Sequence, residues 1–206
     1  MVGIIDYGMG NLLSVFNAFD YLAADVKICK TPSDLQNLSH IVIPGVGAFK
    51  DCAALLRQPE LLYAIEQQTI YNAIPTLGIC LGMQVMAKTG FEFGEHQGLG
   101  WFDAEVVKIE TENTPLKLPN IGWNEVNQLY NHQLFKGIKN LTDFYLVHSF
   151  YMKCNIDSDR IASYQYGHLD ITAAVLKNNI FATQFHPEKS QDNGLKLLEN
   201  FINWKP

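Results

Sequence analysis

The sequence predicts an α/β fold with a doubly wound, mostly parallel sheet and an antiparallel extension. Two observations support this class. In roughly the first ninety residues, short apolar runs alternate with amphipathic segments, as in parallel strands joined by crossover helices. Further along, patterns with a period of two replace the long helices, which indicates antiparallel strands. The chain has 206 residues, of which 48% are hydrophobic, so we expect a single domain spanning residues 1–206.

The predicted elements of the first half follow this alternation. The strands are Val2–Asp6, Val26–Cys29, Ile41–Ile43 and a run that starts at Thr76. The helices are Leu12–Leu22, a short one after the turn at Thr31–Asp34, Pro59–Asn72 and Leu81–Lys88. Leu62, Ile65 and Ile70 form the expected apolar side of the helix Pro59–Asn72.

The second half is predicted to be mostly strand. Phe91–Gly100 is rich in glycine and aromatic residues and indicates a loop. The strands are Ala104–Ile109, Gly122–Val126, Phe144–His148, Arg160–Tyr166, Ile171–Lys177 and Ile180–Phe185. Asn178–Asn179 indicates a hairpin turn between the last two strands. An amphipathic helix, Gly194–Trp204, closes the chain.

Charge and cysteine usage exclude several classes of protein. The net charge is −6 and the basic residues are scattered, which argues against nucleic acid as a partner. No apolar run is long enough to span a membrane, and the N-terminus lacks a signal-peptide pattern. The four cysteines form neither CxxC pairs nor a disulfide framework, so we expect a cytoplasmic protein. The histidines lack ligand-like neighbours, and we expect no metal and no cofactor.

Gly78–Gly82 is the segment with the clearest chemical pattern. It reads G-x-C-x-G between an apolar strand and a helix, which is the pattern of a nucleophile elbow with Cys80 as the nucleophile. A helix that starts there favours the thiolate and leaves the Leu81 N–H free to face an oxyanion. Taken alone, the pattern fits a buried structural cysteine equally well.

A candidate base and its orienting group lie about a hundred residues downstream. A cysteine nucleophile needs a base, and the base needs a partner that sets its tautomer. His186 and Glu188 supply these groups, with a stiffening proline between them. Paired with the elbow, they favour a Cys80–His186–Glu188 triad over a surface histidine.

Two glycine-containing loops follow the first and third strands. The loop after Val2–Asp6 lacks the third glycine of a dinucleotide fingerprint, so we reject that function. The glycines of the second loop, Gly45–Gly47, either expose backbone N–H groups to an anion or only permit positive φ. Because acyl transfer at Cys80 needs a second oxyanion donor, this loop is its natural source.

Several segments together resemble a known family. They are Asp6–Asn11, Pro44–Gly47, Gly78–Gln84, Gly122–Asn124, Tyr145–Ser149 and Gln184–Ser190. Almost end to end, the chain resembles class I, triad-type glutamine amidotransferases, whose domain is flavodoxin-like. Within them it is similar to the glutaminase subunits of imidazole glycerol phosphate synthase, including second-copy paralogues.

The resemblance implies how glutamine is bound and hydrolysed. Cys80 would attack the side-chain amide of glutamine, with His186 as base and Glu188 as its orienter. The family pattern assigns the remaining contacts to the oxyanion loop and the head-group site: Gly45, Val46, Gly47, Leu81, Gln84, Glu92, Val147, His148 and Ser149. Glu92 could equally be a solvated loop carboxylate.

The resemblance also implies a partner. Family members pass ammonia to a TIM-barrel synthase subunit in a heterodimer, which would make this chain part of histidine biosynthesis. Asn11, Trp123 and Lys189 match positions at that docking face, although Trp123 could be a core residue and Lys189 merely solvated. Asn120 and Ile121 depart from the usual family residues beside this face.

Three other functions remain as alternatives. The segment Phe93–Trp101 looks like that of paralogues that supply ammonia for amidation of a surface sugar. A cysteine peptidase or deglycase would use the same elbow and triad. A regulatory subunit with an inactive site is disfavoured, because all three triad residue types are present.

Overall fold

The computed structural model describes residues 1–112 and 114–206. The α-helices are α1 (Leu12–Tyr21), α2 (Phe49–Leu56), α3 (Pro59–Glu66), α4 (Leu81–Gln84) and α5 (Gln191–Ile202). The strands are β1 (Val2–Ile5), β2 (Val26–Cys29), β3 (His40–Gly45), β4 (Thr76–Cys80), β5 (Ala87–Gly90), β6 (His96–Gln97), β7 (Phe102–Lys108), β8 (Asn120–Gln128), β9 (Thr142–His148), β10 (Phe150–Cys154), β11 (Arg160–Tyr166), β12 (Leu169–Lys177) and β13 (Ile180–Thr183). Short 3₁₀ turns occupy Pro32–Leu35, Gln133–Phe135, Asp157–Asp159 and Pro187–Lys189.

A nine-stranded sheet forms the centre of the fold, in the order β2-β1-β3-β4-β13-β12-β11-β8-β9. The five strands from β2 to β13 are parallel, and the remaining four continue the sheet in antiparallel pairs. The predicted α/β class with an antiparallel extension is therefore confirmed. The predicted hairpin at Asn178–Asn179 is confirmed too, since Lys177 pairs with Ile180 across it.

Both faces of the nine-stranded sheet are covered. Helices α1 and α5 pack on one face through residues such as Phe19 and Phe201. Helices α2 and α3 cover the other face together with a second sheet, in the order β10-β7-β5-β6. Strand β1 is apolar throughout because its successive side chains point into opposite cores: Ile4 into the first and Ile5 into the second.

The helix predicted over Leu81–Lys88 is wrong beyond its first turn. α4 ends at Gln84, and β5 begins three residues later. The carbonyl groups that would continue the helix accept hydrogen bonds from another segment instead: Val85 from Leu99, and Met86 from Trp101 and Phe102. Tertiary pairing thus overrides a local helical pattern.

The amphipathic pattern of Pro59–Asn72 also needs correction. α3 ends at Glu66 and is followed directly by a π-helical turn over Gln67–Tyr71. This wider turn rotates the following side chains, so that Thr69 is buried while Ile70 is 45% exposed. Ile70 therefore does not belong to the apolar side on which Ile65 lies.

Several boundaries and two elements differ from the sequence-based expectation. The predicted loop Phe91–Gly100 contains the short strand β6. The sequence patterns did not delimit α2 or β10, and α5 begins three residues before Gly194. No helix within the described ranges, residues 1–112 and 114–206, is long and apolar enough to cross a membrane.

Candidate active site

The carboxyl ends of three neighbouring parallel strands meet at one edge of the main sheet. Gly45 at the end of β3 is the register partner of Cys80 at the end of β4. On the other side of β4, Ile79 pairs with Thr183 of β13. Thr183 lies three residues before His186 in the chain. Parallel pairing therefore brings the Gly45–Gly47 loop, Cys80 and His186 together, at the edge where α/β proteins usually bind ligands.

Cys80 occupies a strained turn between β4 and α4. Its backbone has φ 55° and ψ −110°, a conformation that side-chain-bearing residues rarely adopt. The turn requires glycine at position 82, because a Cβ there would overlap the carbonyl oxygen of Ile43. Leu81 is the first residue of α4, so its N–H has no acceptor within the helix. The elbow geometry predicted from the sequence is thus present, with a one-turn helix behind it.

His186 and Glu188 form a buried pair beside the elbow. The His186 Nδ1 lies 2.8 Å from the Glu188 Oε1, and both side chains are almost completely buried. Ser190, which we did not predict as a site residue, holds this turn: its hydroxyl donates to the His186 carbonyl at 2.7 Å and accepts from the Tyr145 N–H at 3.0 Å. Because the His186 Nδ1 is hydrogen-bonded to Glu188, Nε2 is the ring nitrogen that can interact with Cys80.

The environment of His186 favours its protonated form. Burial lowers the pKa of His186, but hydrogen bonds to Cys80 and Glu188 and the charges of both outweigh it and raise the pKa to about 10. An imidazolium beside a cysteine stabilises the thiolate, which is the nucleophilic form. A Cys80 thiolate in this position can attack an acyl or amide carbon, and the His186 imidazolium can then protonate the leaving group.

A cavity of about 300 Å³ opens above Cys80. Its lining contains ten of the residues assigned from the sequence: Val46, Gly47, Cys80, Leu81, Gln84, Glu92, Val147, His148, Ser149 and His186. The lining adds Pro119 and Phe150, which we did not predict. Gly45 and Glu188 are not part of the lining, because Gly45 lies at the buried end of β3 and Glu188 binds His186. A cavity of this size can hold a small molecule.

The polar side chains of the cavity already make contacts within the protein. Glu92 is half-buried, and its Oε2 accepts from the Phe49 N–H at 2.7 Å, at the start of α2. It is therefore not a fully solvated loop carboxylate. The Gln84 Nε2 donates to the Phe150 carbonyl at 2.8 Å and to the Gln184 Oε1 at 2.9 Å. The Gln184 Nε2 in turn lies 3.8 Å from the Cys80 sulfur.

His148 belongs to a buried hydrogen-bond chain that reaches β8. Its Nδ1 is 2.8 Å from the Phe150 carbonyl, and its Nε2 is 2.8 Å from the Tyr164 hydroxyl, which accepts from Asn120. Burial lowers the pKa of His148 to about 4, against the backbone hydrogen bond, which raises it. His148 is therefore neutral at pH 7, with Nδ1 protonated.

The three residues assigned to a docking face lie in different settings. Trp123 is 46% exposed and packs edge-on against Tyr145, with ring centroids 5.9 Å apart, so it is not a core tryptophan. Lys189 is exposed. The Asn11 side chain caps α1 by accepting from the Ser14 N–H at 3.3 Å. Ile121, beside Trp123, is 61% exposed.

We also searched for groups that could hold a metal ion. In the part of the chain that the structure describes, no three His, Cys, Asp or Glu side chains are clustered as ligands. The described cysteines are all free thiols.

Known proteins share both the sequence and the fold. The family model for class I glutamine amidotransferases matches residues 3–204. Imidazole glycerol phosphate synthase subunit HisH 1 of Campylobacter jejuni (strain RM1221) is 49% identical over 202 residues, covering 98% of this chain and 99% of the relative. The HisH subunit of Pelagibacter ubique is 42% identical over 206 residues, covering 98% and 99%.

The fold has a counterpart among solved structures. PurLQS from Thermotoga maritima superimposes with a TM-score of 0.76 at 15% identity, covering 98% of this chain and 97% of that one. The fold, the near full-length family match and the identity to the HisH subunits agree. The chain belongs to the class I glutamine amidotransferases and, within them, to the HisH subunits of imidazole glycerol phosphate synthase.

Proposed function

We propose that this chain is the glutaminase subunit of an imidazole glycerol phosphate synthase: it hydrolyses glutamine to glutamate and supplies ammonia for histidine biosynthesis. The observation that carries the proposal is the buried His186–Glu188 pair at 2.8 Å beside Cys80, which faces a cavity of about 300 Å³. We further propose that residues 1–206 act as one domain in the cytoplasm, where thiols such as Cys80 remain reduced.

The reaction begins with attack of the Cys80 thiolate on the side-chain amide carbon of glutamine. The carbonyl oxygen becomes an oxyanion, and we propose the Leu81 N–H and an N–H of the Gly45–Gly47 loop as the donors that stabilise it. His186 gives its proton to the departing nitrogen, which leaves as ammonia, and a thioester remains on Cys80. His186 then accepts a proton from the attacking water, and glutamate is released.

The cavity supplies recognition groups for free glutamine. Both N–H groups of the Gln84 side chain are used within the protein, so its carbonyl oxygen is the group left for the ligand. The Glu92 carboxylate suits the α-ammonium group of glutamine. Val147, His148 and Ser149 also line the cavity. A peptide substrate for a protease would need a longer, open groove.

Replacing the nucleophile tests the chemistry. We expect Cys80→Ala to abolish glutamate release while leaving the urea midpoint of unfolding nearly unchanged, because the thiol does chemistry rather than packing. Cys154→Ala is the matched control, since Cys154 is a half-buried free thiol on β10 that does not line the cavity. Glutamate release that survives in purified Cys80→Ala would eliminate the assignment.

The partner would dock over the mouth of the cavity. Trp123 and Ile121 present apolar surface on β8, and Lys189 adds a charge next to the triad. We propose a TIM-barrel synthase subunit as the partner, in a heterodimer, with low glutaminase activity in the isolated chain and strong activation on binding. Asn11 would contribute through the loop that precedes α1, which its side chain holds.

Partner binding can be tested with a surface tryptophan. Because buried interface tryptophans often contribute 2 kcal/mol or more, we expect Trp123→Ala to weaken binding of the barrel subunit by about 30-fold. Tyr63→Ala is the control, since Tyr63 is an exposed aromatic on α3. Equal affinities of wild type and Trp123→Ala in calorimetric titration would exclude this face.

The relatives also bear on the competing functions. The HisH proteins of Campylobacter jejuni and Pelagibacter ubique carry the name of the histidine-pathway synthase, and they lend no support to ammonia supply for a surface sugar. A peptidase or deglycase would require a family other than the one that matches. The inactive regulatory subunit is disfavoured by the connected triad.

A further inference from the structure

Gln184 is a completely buried polar side chain that the mechanism above does not use. It lies between β13 and His186, and its backbone N–H donates to the Ala173 carbonyl. Its side chain points at the nucleophile, with Nε2 3.8 Å from the Cys80 sulfur. Burying an amide costs free energy unless its N–H and C=O groups have hydrogen-bond partners. The partner of the Gln184 N–H is the Cys80 sulfur.

The direction of this hydrogen bond is set by a backbone carbonyl. The Phe150 carbonyl can only accept, and it receives the Gln84 Nε2 at 2.8 Å. The same Gln84 nitrogen donates its second hydrogen to the Gln184 Oε1 at 2.9 Å. Gln184 must therefore turn its own N–H towards the sulfur, because a flipped amide would set two donors against each other.

The short helix at the elbow makes this donor important. α4 has only one turn, so its dipole contributes less to stabilising an anion than the longer helix expected from the sequence. An amide N–H neither takes up nor releases a proton at neutral pH, and it favours the charged form of an acceptor. Gln184 thus supplies a fixed partial positive charge at the reacting atom.

We propose that Gln184 is a further residue of the catalytic centre, whose side-chain N–H stabilises the thiolate of Cys80. The inference deepens the proposed function, since it rests on Cys80 being the nucleophile. Gln84 and the Phe150 carbonyl act as positioning groups, because they orient the amide of Gln184 without touching the sulfur.

Other ionisable groups also surround Cys80, and the test must separate them from Gln184. They are His186 with Glu188 behind it, Tyr7 after β1, Cys52 on α2, and Glu92 and His148 across the cavity. All six are retained when only position 184 is changed. A change in the titration of the sulfur then reports on the amide.

The experiment measures alkylation of Cys80 by iodoacetamide between pH 5 and 10 in the full-length chain, resolved by peptide mass spectrometry. In Gln184→Met, which keeps the shape but lacks the donor, we expect the midpoint of the profile to rise by about one pH unit and the rate at pH 7 to fall about tenfold. Gln128→Met is the matched control, since the Gln128 side-chain amide is also a hydrogen-bond donor, to two backbone carbonyls, but lies away from the cavity.

The other cysteines do not interfere with this assay. Burial raises the pKa of Cys52 and Cys154 to about 12, and burial also raises the pKa of Cys29 above its ordinary value. These thiols stay protonated and react slowly near neutral pH. An unchanged midpoint in folded Gln184→Met would overturn the proposal.

A second variant and a measurement on the wild type cover the case in which Gln184→Met does not fold. Gln184→Glu retains the size of the side chain and the acceptor for Gln84, and it should raise the midpoint by at least as much. In the unaltered chain, the NMR resonance of the Gln184 side-chain nitrogen should move at the alkylation midpoint, and this movement should vanish in Cys80→Ala. A resonance that does not respond refutes the proposal.

The alkylation assay uses neither glutamine nor a partner, so the two proposals fail separately. If wild type releases no glutamate, the proposed function is refuted while the alkylation shift stands. If glutamate release is normal and position 184 has no effect on the profile, only the role of Gln184 is refuted. A shift in Gln184→Met without a shift in Gln128→Met supports it.

Discussion

Glu188 offers a direct way to test how His186, the proposed base, is held. Its Oε1 is 2.8 Å from the His186 Nδ1, and solvent reaches almost none of either side chain. Glu188→Gln keeps the shape of the side chain and an oxygen that accepts the Nδ1 hydrogen. The substitution therefore removes the negative charge while it preserves the tautomer and the orientation of the ring.

The magnitude follows from the charge that is lost. A buried hydrogen bond to a charged group contributes about 1.5–3 kcal/mol, which corresponds to roughly one to two pH units. We therefore expect Glu188→Gln to lower the pKa of His186 by that amount from its value of about 10. With the imidazolium less favoured, kcat/KM for glutamine should fall by about 10- to 100-fold.

Two measurements check this expectation. NMR titration of the His186 ring, carried out in a Cys80→Ala background, isolates the contribution of Glu188 from that of the sulfur. Glutamate release between pH 6 and 10, with the partner present, gives the kinetic effect. Glu188→Ala, which also loses the acceptor, should be more damaging than Glu188→Gln.

The same pKa predicts how stability depends on pH. The pKa of His186 lies above its ordinary value of 6.5, so protonation stabilises the fold fully below pH 6.5, and this contribution disappears as the pH rises through about 10. The difference in unfolding free energy between wild type and Glu188→Gln should therefore be largest below about pH 6.5 and shrink as the pH rises towards 10. Identical titration of His186 in both proteins would refute the reasoning.

Two further substitutions test the packing around the site. Gly82→Ala should destabilise the chain by about 1–3 kcal/mol and abolish glutamate release, because the new Cβ overlaps the Ile43 carbonyl oxygen; an unchanged urea midpoint would contradict the elbow geometry. Tyr164→Phe should cost about 1–3 kcal/mol in urea unfolding, because it leaves the buried Asn120 and His148 without a shared partner; a change below 0.5 kcal/mol, roughly, would mean that water replaces the hydroxyl.

Much of the fold could be predicted because its strands have local patterns of apolar residues. Runs such as Val26–Cys29 and Arg160–Tyr166 match the observed strands at both ends. The failures lie where a distant segment competes for the backbone. The carbonyl groups after Gln84 bind residues 99–102 rather than the next helical turn, and the π-helical turn after Glu66 changes which side chains are buried. Neither effect has a signal within a short window of sequence.

The candidate site divides in the same way. Two short segments carry the predicted triad: Gly78–Gly82, which contains Cys80, and His186–Glu188. Because each spans five residues or fewer, the local sequence is enough to predict its chemistry. Gln184 lies two residues before His186 but was not predicted as a site residue. An amide side chain can donate or accept hydrogen bonds, and its role depends on neighbours that the sequence does not show. Its N–H faces the sulfur only because a carbonyl from β10 and a side chain from α4 orient it.

The sequence by itself predicted the nucleophile, its base and the family, because an elbow and a histidine–carboxylate pair depend on short-range spacing. The tertiary structure alone decided how long the helix behind Cys80 is, which groups surround the sulfur, and which way the buried amides point. The groups around the sulfur and the direction of the amides depend on hydrogen bonds between residues about 66 to 104 positions apart, and no local pattern encodes the direction of such bonds.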